Sequence, residues 1–291
     1  MITSRGMTKT LLSFGHGFSA RAFAPLALAQ GWTVIGTTRS TEKAEMIRKT
    51  GVQPLIWPGG SDPVDLDGVT HILVSAGPDE NGDPVLRDLG AEIADRAEQF
   101  EWVGYLSTTG VYGNHDGAWV DETTELHPTS RRAIWRKEAE DAWRAIPGLP
   151  VHVFRLAGIY GPGRGPFEKL RNGTARRVIK PGQVFSRIHV EDIAQVLMAS
   201  INRPNPGAIY NLCDDDPAPP QDVIAYAAEL LGMPVPPPIP FDEAEMTPMA
   251  RSFYADSKRV RNDRIKDELC VQLKYTTYKA ALEAMLAAET G

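Results

Sequence analysis

The chain has 291 residues, of which 42% are hydrophobic and 23% are charged, and its formal net charge at pH 7 is −6. These values are typical of a globular protein with a substantial core, and they provide no basic surface for nucleic acid or for an anionic membrane. The two cysteines, Cys213 and Cys270, lack CxxC spacing, so neither a disulfide scaffold nor a zinc site is indicated. The first residues lack the apolar core of a signal peptide, and no later run approaches a membrane span of roughly 20 apolar residues. We therefore expect a cytoplasmic protein.

The N-terminal pattern is a strand, a glycine turn, a helix and a second strand. An apolar run over 10–14 stops at Gly15, an Ala-rich segment follows over 21–30, and a second apolar run covers 32–38. Gly15 suits the tight turn of a dinucleotide-binding motif, and Gly17 suits the close approach of a ligand.

The function of this turn follows from the chemistry of its backbone. N–H groups in a turn without side chains can approach a pyrophosphate, and the following helix presents its positive N-terminal end to the same anion. The pattern therefore predicts dinucleotide binding by Gly15, His16, Gly17 and Phe18, with His16 contributing its backbone only. The alternative is a purely structural turn, because Gly-rich turns commonly separate strands from helices.

Strands and helices continue to alternate through the first half of the chain. The pattern predicts a helix over 41–50, strands over 53–57 and 70–75, a helix over 84–100, a strand over 102–106, a helix over 128–146 and a strand over 151–156. This alternation predicts the α/β class, with a doubly wound parallel sheet and helices on both faces. The polar residues 107–113 follow the fifth strand, at the end of the sheet where such folds bind ligands.

The C-terminal half contains shorter segments. We predict a loop over 158–166, strands over 184–188 and 208–212, helices over 190–201, 221–231 and 278–287, and an extended segment over 234–240. The predicted domains are a dinucleotide-binding domain of residues 1–160 and 186–215, and a substrate-capping subdomain of residues 161–185 and 216–291.

The ionisable residues show no metal-binding pattern. None of the histidines pairs with another at the spacing of metal ligands, and they are His16, His71, His115, His127, His152 and His189. The acidic loop over 114–127 is better explained as solvated than as a cation site, because no ligand spacing recurs in it. We therefore predict no metal. Tyr112 and Tyr160 are the phenols nearest the expected ligand site in sequence, where packing is the main expectation and an acid role the alternative.

Several motifs together resemble one family, the extended short-chain dehydrogenase/reductases, which includes nucleotide-sugar epimerases and dehydratases. Besides the glycine turn, the matching stretches are Ser107-Thr108-Thr109-Gly110-Val111-Tyr112-Gly113, Phe154-Arg155-Leu156-Ala157-Gly158-Ile159-Tyr160-Gly161-Pro162-Gly163, Ile188-His189-Val190-Glu191-Asp192-Ile193-Ala194 and Tyr210-Asn211-Leu212. They occur in the order of the family over most of the chain. The resemblance implies a Rossmann domain with a small C-terminal substrate subdomain and an NAD(P) cofactor.

Two departures from the family concern the cofactor. Phe14 occupies a position where the extended glycine motif has another glycine, so the turn resembles that of an atypical subgroup. Thr38 and Arg39 end the second strand, where members that prefer NAD have an acidic residue at Thr38. Arg39 can pair with a 2′-phosphate, which favours NADP, with NAD as the alternative. Ser75, Ala76 and Gly77 are expected to border the adenine and pyrophosphate, and Asp62 is a weaker candidate for the adenine edge.

The third departure concerns catalysis. The Tyr-x-x-x-Lys pair of the family would fall at Arg132 and Arg136, so both the tyrosine and the lysine are absent. Arginine stays protonated at any useful pH and has no phenol, so it does not replace the tyrosine as an acid or base. Thr108 occupies the catalytic Ser/Thr position of the family, where its hydroxyl is expected to bond a substrate oxygen. A hydroxyl that only bonds the backbone is the alternative.

These observations leave two functional classes open. The first is an atypical NADP-dependent oxidoreductase or epimerase that acts on a sugar-like or acidic carbonyl compound. The second is a catalytically silent, NADP(H)-responsive binding or regulatory protein. The expected partner is a small, anionic substrate, no nucleic acid or membrane is expected, and a homodimer remains open. The predicted substrate-binding residues are Thr109, Arg132, Arg136, Arg164 and Arg187.

Overall fold

The computed structural model describes residues 8–61 and 63–290, so the predicted adenine contact of Asp62 lies outside the described residues. The strands are β1 Thr10–Phe14, β2 Thr33–Thr38, β3 Gln53–Ile56, β4 His71–Val74, β5 Trp102–Thr108, β6 Trp119–Val120, β7 Val151–Leu156, β8 Gly158–Tyr160, β9 Arg177–Ile179, β10 Arg187–His189, β11 Ile209–Leu212, β12 Pro238–Pro240 and β13 Arg259–Val260. The α-helices are α1 Phe18–Ala29, α2 Thr41–Arg48, α3 Pro84–Asp95, α4 Arg131–Arg144, α5 Pro166–Arg171, α6 Val190–Asn202, α7 Pro220–Leu230, α8 Pro248–Phe253, α9 Asp263–Asp267 and α10 Tyr278–Thr290. None of the helices in these residues is long and apolar enough to cross a membrane.

The central element is a seven-stranded sheet with the strand order β11-β7-β5-β4-β1-β2-β3. The pairs β1–β2, β1–β4, β2–β3 and β4–β5 are parallel. Helix α1 lies between β1 and β2, α2 between β2 and β3, and α3 between β4 and β5, as crossovers between parallel strands require. The predicted Rossmann-like α/β fold is therefore confirmed.

Burial explains why the inner strands are apolar without alternation. Every residue of β4 is buried, and so is every residue of β7. A parallel strand with both faces covered cannot alternate apolar and polar side chains. The main core on this sheet includes Leu12, Phe14, Ile72, Val74, Val103, Tyr105 and Trp143.

The chain forms two compact units. The first contains residues 1–107, 138–154 and 194–209, and the second contains residues 108–137, 155–193 and 210–291. The predicted domain boundaries stay a prediction. Within the second unit, Phe167, Leu170, Ala227, Tyr278 and Leu282 belong to a separate core.

Small strand pairs account for most of the differences from the sequence prediction. The prediction of a loop over 158–166 was wrong in part, because Gly158–Tyr160 is a strand that pairs in parallel with Arg187–His189. The other two small pairs, β9–β12 and β6–β13, also lie in the second unit. Three-residue strands have no measurable period, so their pairing partner alone reveals them.

Candidate functional site

The glycine turn after β1 is defined by one close backbone approach. Gly15 has a φ of +73°, and a Cβ atom on it would lie 2.8 Å from the backbone nitrogen of Ala76. The Gly15 N–H donates to Thr37 Oγ1 at 2.8 Å, and the His16 N–H donates to the Thr37 carbonyl at 2.9 Å. Both the dihedral angle and the lack of space therefore require glycine here.

The His16 side chain packs into the fold beneath this turn. It is 7% exposed, and its Nδ1 lies 3.2 Å from Ser13 Oγ. A Cβ atom on Gly36 would lie 2.7 Å from its Cγ, so β2 has a glycine where the imidazole rests. Burial, together with the nearby charge of Arg21, lowers the pKa of His16 to about 4. The imidazole is neutral at pH 7, and only the backbone of His16 faces the turn.

Helix α1 begins directly after the turn with an uncompensated N-terminus. Its N-cap residue is Gly17, no side chain caps it, and its first turn contains no acidic residue. The first helical hydrogen bond runs from the Arg21 N–H to the Gly17 carbonyl at 2.9 Å. A helix end of this kind is favourable for an anion.

The segment after β4 lies against the same turn. The N–H groups of Ser75 and Ala76 both donate to the carbonyl of Phe14, at 2.8 and 3.1 Å. Ser75 Oγ is buried and has no hydrogen-bond partner among the described residues, while Gly77 is exposed. The structure thus brings Ser75 and Ala76 together with Gly15, and Ser75 keeps an unused hydroxyl there.

Phe14 accounts for the departure from the family's glycine motif. Its side chain is fully buried, and its ring meets the Trp57 ring edge-on at a centroid distance of 5.1 Å. The position points into the core, so a large side chain fits there without filling the turn.

Thr38 and Arg39 mark the end of β2. The Thr38 carbonyl accepts a hydrogen bond from the Trp57 N–H at 2.9 Å, and Thr38 Oγ1 accepts one from the Ser40 N–H at 3.3 Å. Arg39 is exposed, and its side chain has no ion pair or hydrogen bond within residues 8–61 and 63–290.

Thr108 and Thr109 belong to the second unit. Thr108 is half-buried, and its Oγ1 accepts a hydrogen bond from the Gly110 N–H at 3.1 Å. This bond caps the short 3₁₀ turn Thr109–Tyr112, in which Thr109 is also half-buried. The Thr108 hydroxyl hydrogen remains available as a donor.

The two tyrosines considered as acids are both enclosed. The Tyr112 hydroxyl donates to Asn211 Oδ1 at 2.8 Å and accepts from an Arg155 Nη at 3.0 Å, and burial raises its pKa to about 12. The Tyr160 hydroxyl is buried without a partner among the described residues, and burial raises its pKa further. Neither phenol loses its proton readily, so the structure favours packing for both.

The four predicted substrate arginines have different surroundings. Arg132 is exposed on α4, with an Nη 3.4 Å from Met249 Sδ, and Arg136 is half-buried one turn later. Arg164 lies in an exposed turn, where its N–H donates to the Gly161 carbonyl. The Arg187 guanidinium donates to the carbonyls of Phe185 and Ala218 at 2.8 and 3.1 Å, so it already holds two loop segments together.

The buried ionisable residues that the sequence analysis missed include Glu140 and Lys258. Glu140 is 1% exposed on α4 and accepts a hydrogen bond from the Ser107 hydroxyl, directly before Thr108. Its position four residues after Arg136 on an otherwise charged helix was the only available signal. Lys258 Nζ donates to the Gly113 carbonyl at 2.7 Å and lies 3.6 Å from Asp256 Oδ2, and burial lowers its pKa. No spacing rule connects Lys258 to Gly113.

No family model matches the chain. It is 65% identical to a functionally unknown conserved protein from Silicibacter pomeroyi DSS, and the two structures align with a TM-score of 0.94 over 97% of this chain and 99% of that chain. The two proteins belong to one family. Protein YeeZ of Escherichia coli strain K12 is 29% identical over 239 residues, which cover 77% of this chain and 85% of YeeZ.

More distant solved structures have the same fold. The dTDP-glucose 4,6-dehydratase of Bacillus anthracis in complex with NAD is 18% identical, with a TM-score of 0.76 over 96% of each chain. The human epimerase family protein SDR39U1 with NADPH is 16% identical, with a TM-score of 0.71 over 96% of this chain and 99% of that chain. These similarities show that the proteins share the fold of this chain.

Proposed function

We propose that this protein binds NADP(H) at the turn formed by Gly15, His16 and Gly17. The observation that carries the proposal is the turn at the uncapped start of α1, where Gly15 lies so close to Ala76 that no side chain fits on it. The unused Ser75 hydroxyl adds a hydrogen-bonding group beside this turn. Proteins of the same fold bind NAD or NADPH, which supports a nicotinamide dinucleotide here.

Arg39, which has no ion pair among the described residues, supports NADP over NAD. Its exposed guanidinium follows β2, where an acidic residue would instead bind the ribose hydroxyls and repel a 2′-phosphate. A guanidinium forks onto a phosphate with two charge-assisted hydrogen bonds.

We further propose that the protein is an atypical NADP-dependent oxidoreductase or epimerase for a sugar-like or acidic carbonyl substrate. Bound NADP(H) supplies hydride transfer. Thr108 donates its hydroxyl hydrogen to the substrate oxygen, because the bond from the Gly110 N–H orients the oxygen and leaves that hydrogen available. Water supplies the proton, since the buried phenols of Tyr112 and Tyr160 retain theirs. Arg132 and Arg136 lie one helical turn apart on α4, and an arginine binds a carboxylate with two parallel hydrogen bonds, which favours an acidic substrate.

A second candidate is a cofactor-responsive binding protein without turnover. The enclosure of Tyr112 and Tyr160 favours it, because burial raises the pKa of both phenols and neither loses its proton readily.

One experiment separates the two candidates. NADPH binding is measured by calorimetry, and NADPH oxidation is followed with a panel of aldehydes, ketones, keto acids and nucleotide sugars. Oxidation with any member supports the enzyme, and tight binding without oxidation supports the regulatory protein. Absence of NADPH binding contradicts both.

A further inference from the structure

Helix α8, in the second unit, turns an apolar face to solvent. None of its six residues is buried, and the side chains of Met249 and Phe253 are 51% and 62% exposed. These two residues lie four positions apart, so they share one face of the helix, which we call the α8 face. Single exposed apolar residues are common on protein surfaces, whereas two large ones on one face of so short a helix indicate a contact surface.

The segment that carries the α8 face is packed against the rest of the second unit. The Arg251 guanidinium donates to the Ala244 carbonyl at 2.9 Å. The ring of Tyr254, directly after the helix, lies 5.5 Å from the Phe185 ring and 5.3 Å from the Phe241 ring, between centroids. The exposed pair therefore belongs to a segment that is anchored by its other side chains.

The α8 face borders a guanidinium group. An Nη of Arg132 lies 3.4 Å from Met249 Sδ, and Thr129 Oγ1 donates to Asp256 Oδ1 at 2.9 Å, so contacts join the start of α4 to the helix and to the residues after it. A thioether is only a weak acceptor, and Arg132 has no ion pair in the described part of the chain. An apolar surface beside such a guanidinium group is complementary to a molecule that carries both an apolar group and a carboxylate.

The start of α4 also lies near the hydroxyl proposed to bond the substrate. A Cβ atom on Gly110 would lie 3.4 Å from Thr108 Oγ1 and 3.8 Å from the Cβ of Ala133, the residue after Arg132. Thr108 and the start of α4 thus flank the same glycine. A ligand bound at this end of α4 is therefore near the proposed chemistry.

We propose that the α8 face, together with Arg132, selects a carboxylic acid with an apolar chain or ring as the substrate. This proposal rests on the proposed function and names the substrate class of the same site. The carboxylate pairs with the guanidinium group, and the apolar group covers Met249 and Phe253. A methionine side chain adapts to chains and rings of different shape, and a phenylalanine ring packs against either. Neither side chain offers a hydrogen-bond donor to the hydroxyls or phosphates of a nucleotide sugar.

The test follows the methionine methyl groups of the full chain by ¹³C NMR, without cofactor. The probe is 3-phenylpropanoate, its neutral counterpart is 3-phenylpropanamide, and acetate is the acid without the ring. We expect 3-phenylpropanoate to shift the Met249 methyl resonance, which Met249→Leu identifies, with a Kd on the order of 1 mM. The amide and acetate should bind about tenfold more weakly or worse, because each lacks one of the two contacts.

Three variants separate the two contacts. Arg132→Gln should reduce the affinity for 3-phenylpropanoate to that for the amide, because the charge that distinguishes them is lost. Phe253→Ser should weaken the binding of 3-phenylpropanoate about tenfold, because the ring loses its apolar partner. Trp119→Ser is the matched control and should leave the affinity unchanged, since Trp119 is 55% exposed in the same unit but lies on β6.

Several results would overturn the proposal: no shift of the Met249 methyl resonance, equal affinity for the acid and the amide, or binding that survives Phe253→Ser. A concentration-dependent dimer that Phe253→Ser abolishes would assign the α8 face to a second copy of the chain instead. Failure of the proposed function is measured separately, by NADPH binding and oxidation. If NADPH binds and the acid does not, only this proposal fails; if the acid binds and NADPH does not, the cofactor function fails and the carboxylate site stands.

Discussion

Gly15 and Ala76 approach so closely that a methyl group on Gly15 would lie 2.8 Å from the Ala76 nitrogen. Gly15→Ala should therefore destabilise the protein by about 1–3 kcal/mol, because a left-handed residue is strained and the segment after β4 has to move. NADPH binding should be lost together with the shape of the turn. Urea denaturation and calorimetry measure the two effects.

Gly31→Ala is the matched control for this variant. Gly31 has a φ of +79° and no atom within 4 Å of an added Cβ, so its substitution imposes the same dihedral strain without a clash. Equal loss of NADPH affinity in both variants would refute the role of the close approach.

Arg39→Ala should weaken NADPH binding by about 10- to 100-fold and leave NADH binding unchanged. The guanidinium group has no other partner in the described residues, so its removal affects little besides a ligand phosphate. A charge-assisted hydrogen bond contributes roughly 1.5–3 kcal/mol. Calorimetric titration with each dinucleotide measures the difference, and Lys49→Ala, at the end of α2, controls for the loss of one surface charge. Equal losses of affinity for NADH and NADPH would show that Arg39 does not bind the 2′-phosphate.

Thr108→Val should reduce turnover by about 10²–10³ without changing NADPH affinity, if a substrate is found. The variant removes the hydroxyl hydrogen offered to the substrate, and loss of a single such donor has an effect of this size. Thr108→Ser keeps both the donor and the acceptor for the Gly110 N–H, so it should retain most activity. Undiminished turnover in Thr108→Val would show that the hydroxyl only caps the 3₁₀ turn.

Stability should fall as the pH drops from about 6.5 to about 4. Burial lowers the pKa of His152 to about 4, against 6.5 in the unfolded chain, and His16, His71 and His189 behave in the same way. As the pH falls, the histidines of the unfolded state bind protons before those of the folded state, so acid favours unfolding. Each histidine lowers the free energy of unfolding by about 2 kcal/mol between pH 7 and pH 5. Urea denaturation at several pH values measures this change.

His152→Asn tests the source of this pH dependence. The difference in the free energy of unfolding between pH 7 and pH 5 should shrink, whatever the variant's absolute stability. Asp214 acts in the opposite sense: with a folded pKa of about 8, its contribution is lost as the pH rises. If the free energy of unfolding of His152→Asn depends on pH as that of the wild type does, His152 is not a source of the pH dependence.

The sequence predicted the features that depend on neighbouring residues. The strands of the main sheet show as short segments rich in apolar residues, such as residues 72–74 in β4 and residues 102–106 in β5. The glycine turn is recognisable because strand, turn and helix are consecutive. Helix α4 was predicted to start at 128 but begins at Arg131, since Ser130 Oγ accepts a hydrogen bond from the Ala133 N–H. The helix boundary thus depends on a capping bond that the periodicity does not contain.

Features that depend on distant residues escaped prediction. The bond between Ser107 and Glu140 joins residues 33 positions apart, and that between Lys258 and Gly113 spans 145 positions. Neither the composition nor the spacing of residues in the sequence predicts hydrogen bonds between such distant positions. The unpartnered oxygen of Asp214 is likewise a property of its surroundings, because the run of three aspartates at 214–216 suggests only a solvated loop.

The contact between Trp57 and Thr38 provides an optical reporter inside the molecule. The backbone N–H of Trp57 donates to the carbonyl of Thr38, the residue that precedes Arg39, so Trp57 lies beside the segment proposed to hold the 2′-phosphate. Reduced nicotinamide absorbs where tryptophan emits, and the indole of Trp57 also contacts the ring of Phe14 at the base of the turn. Its emission therefore registers both occupancy and the packing beneath the cofactor, and a Trp57→Phe variant isolates its share from that of the other tryptophans.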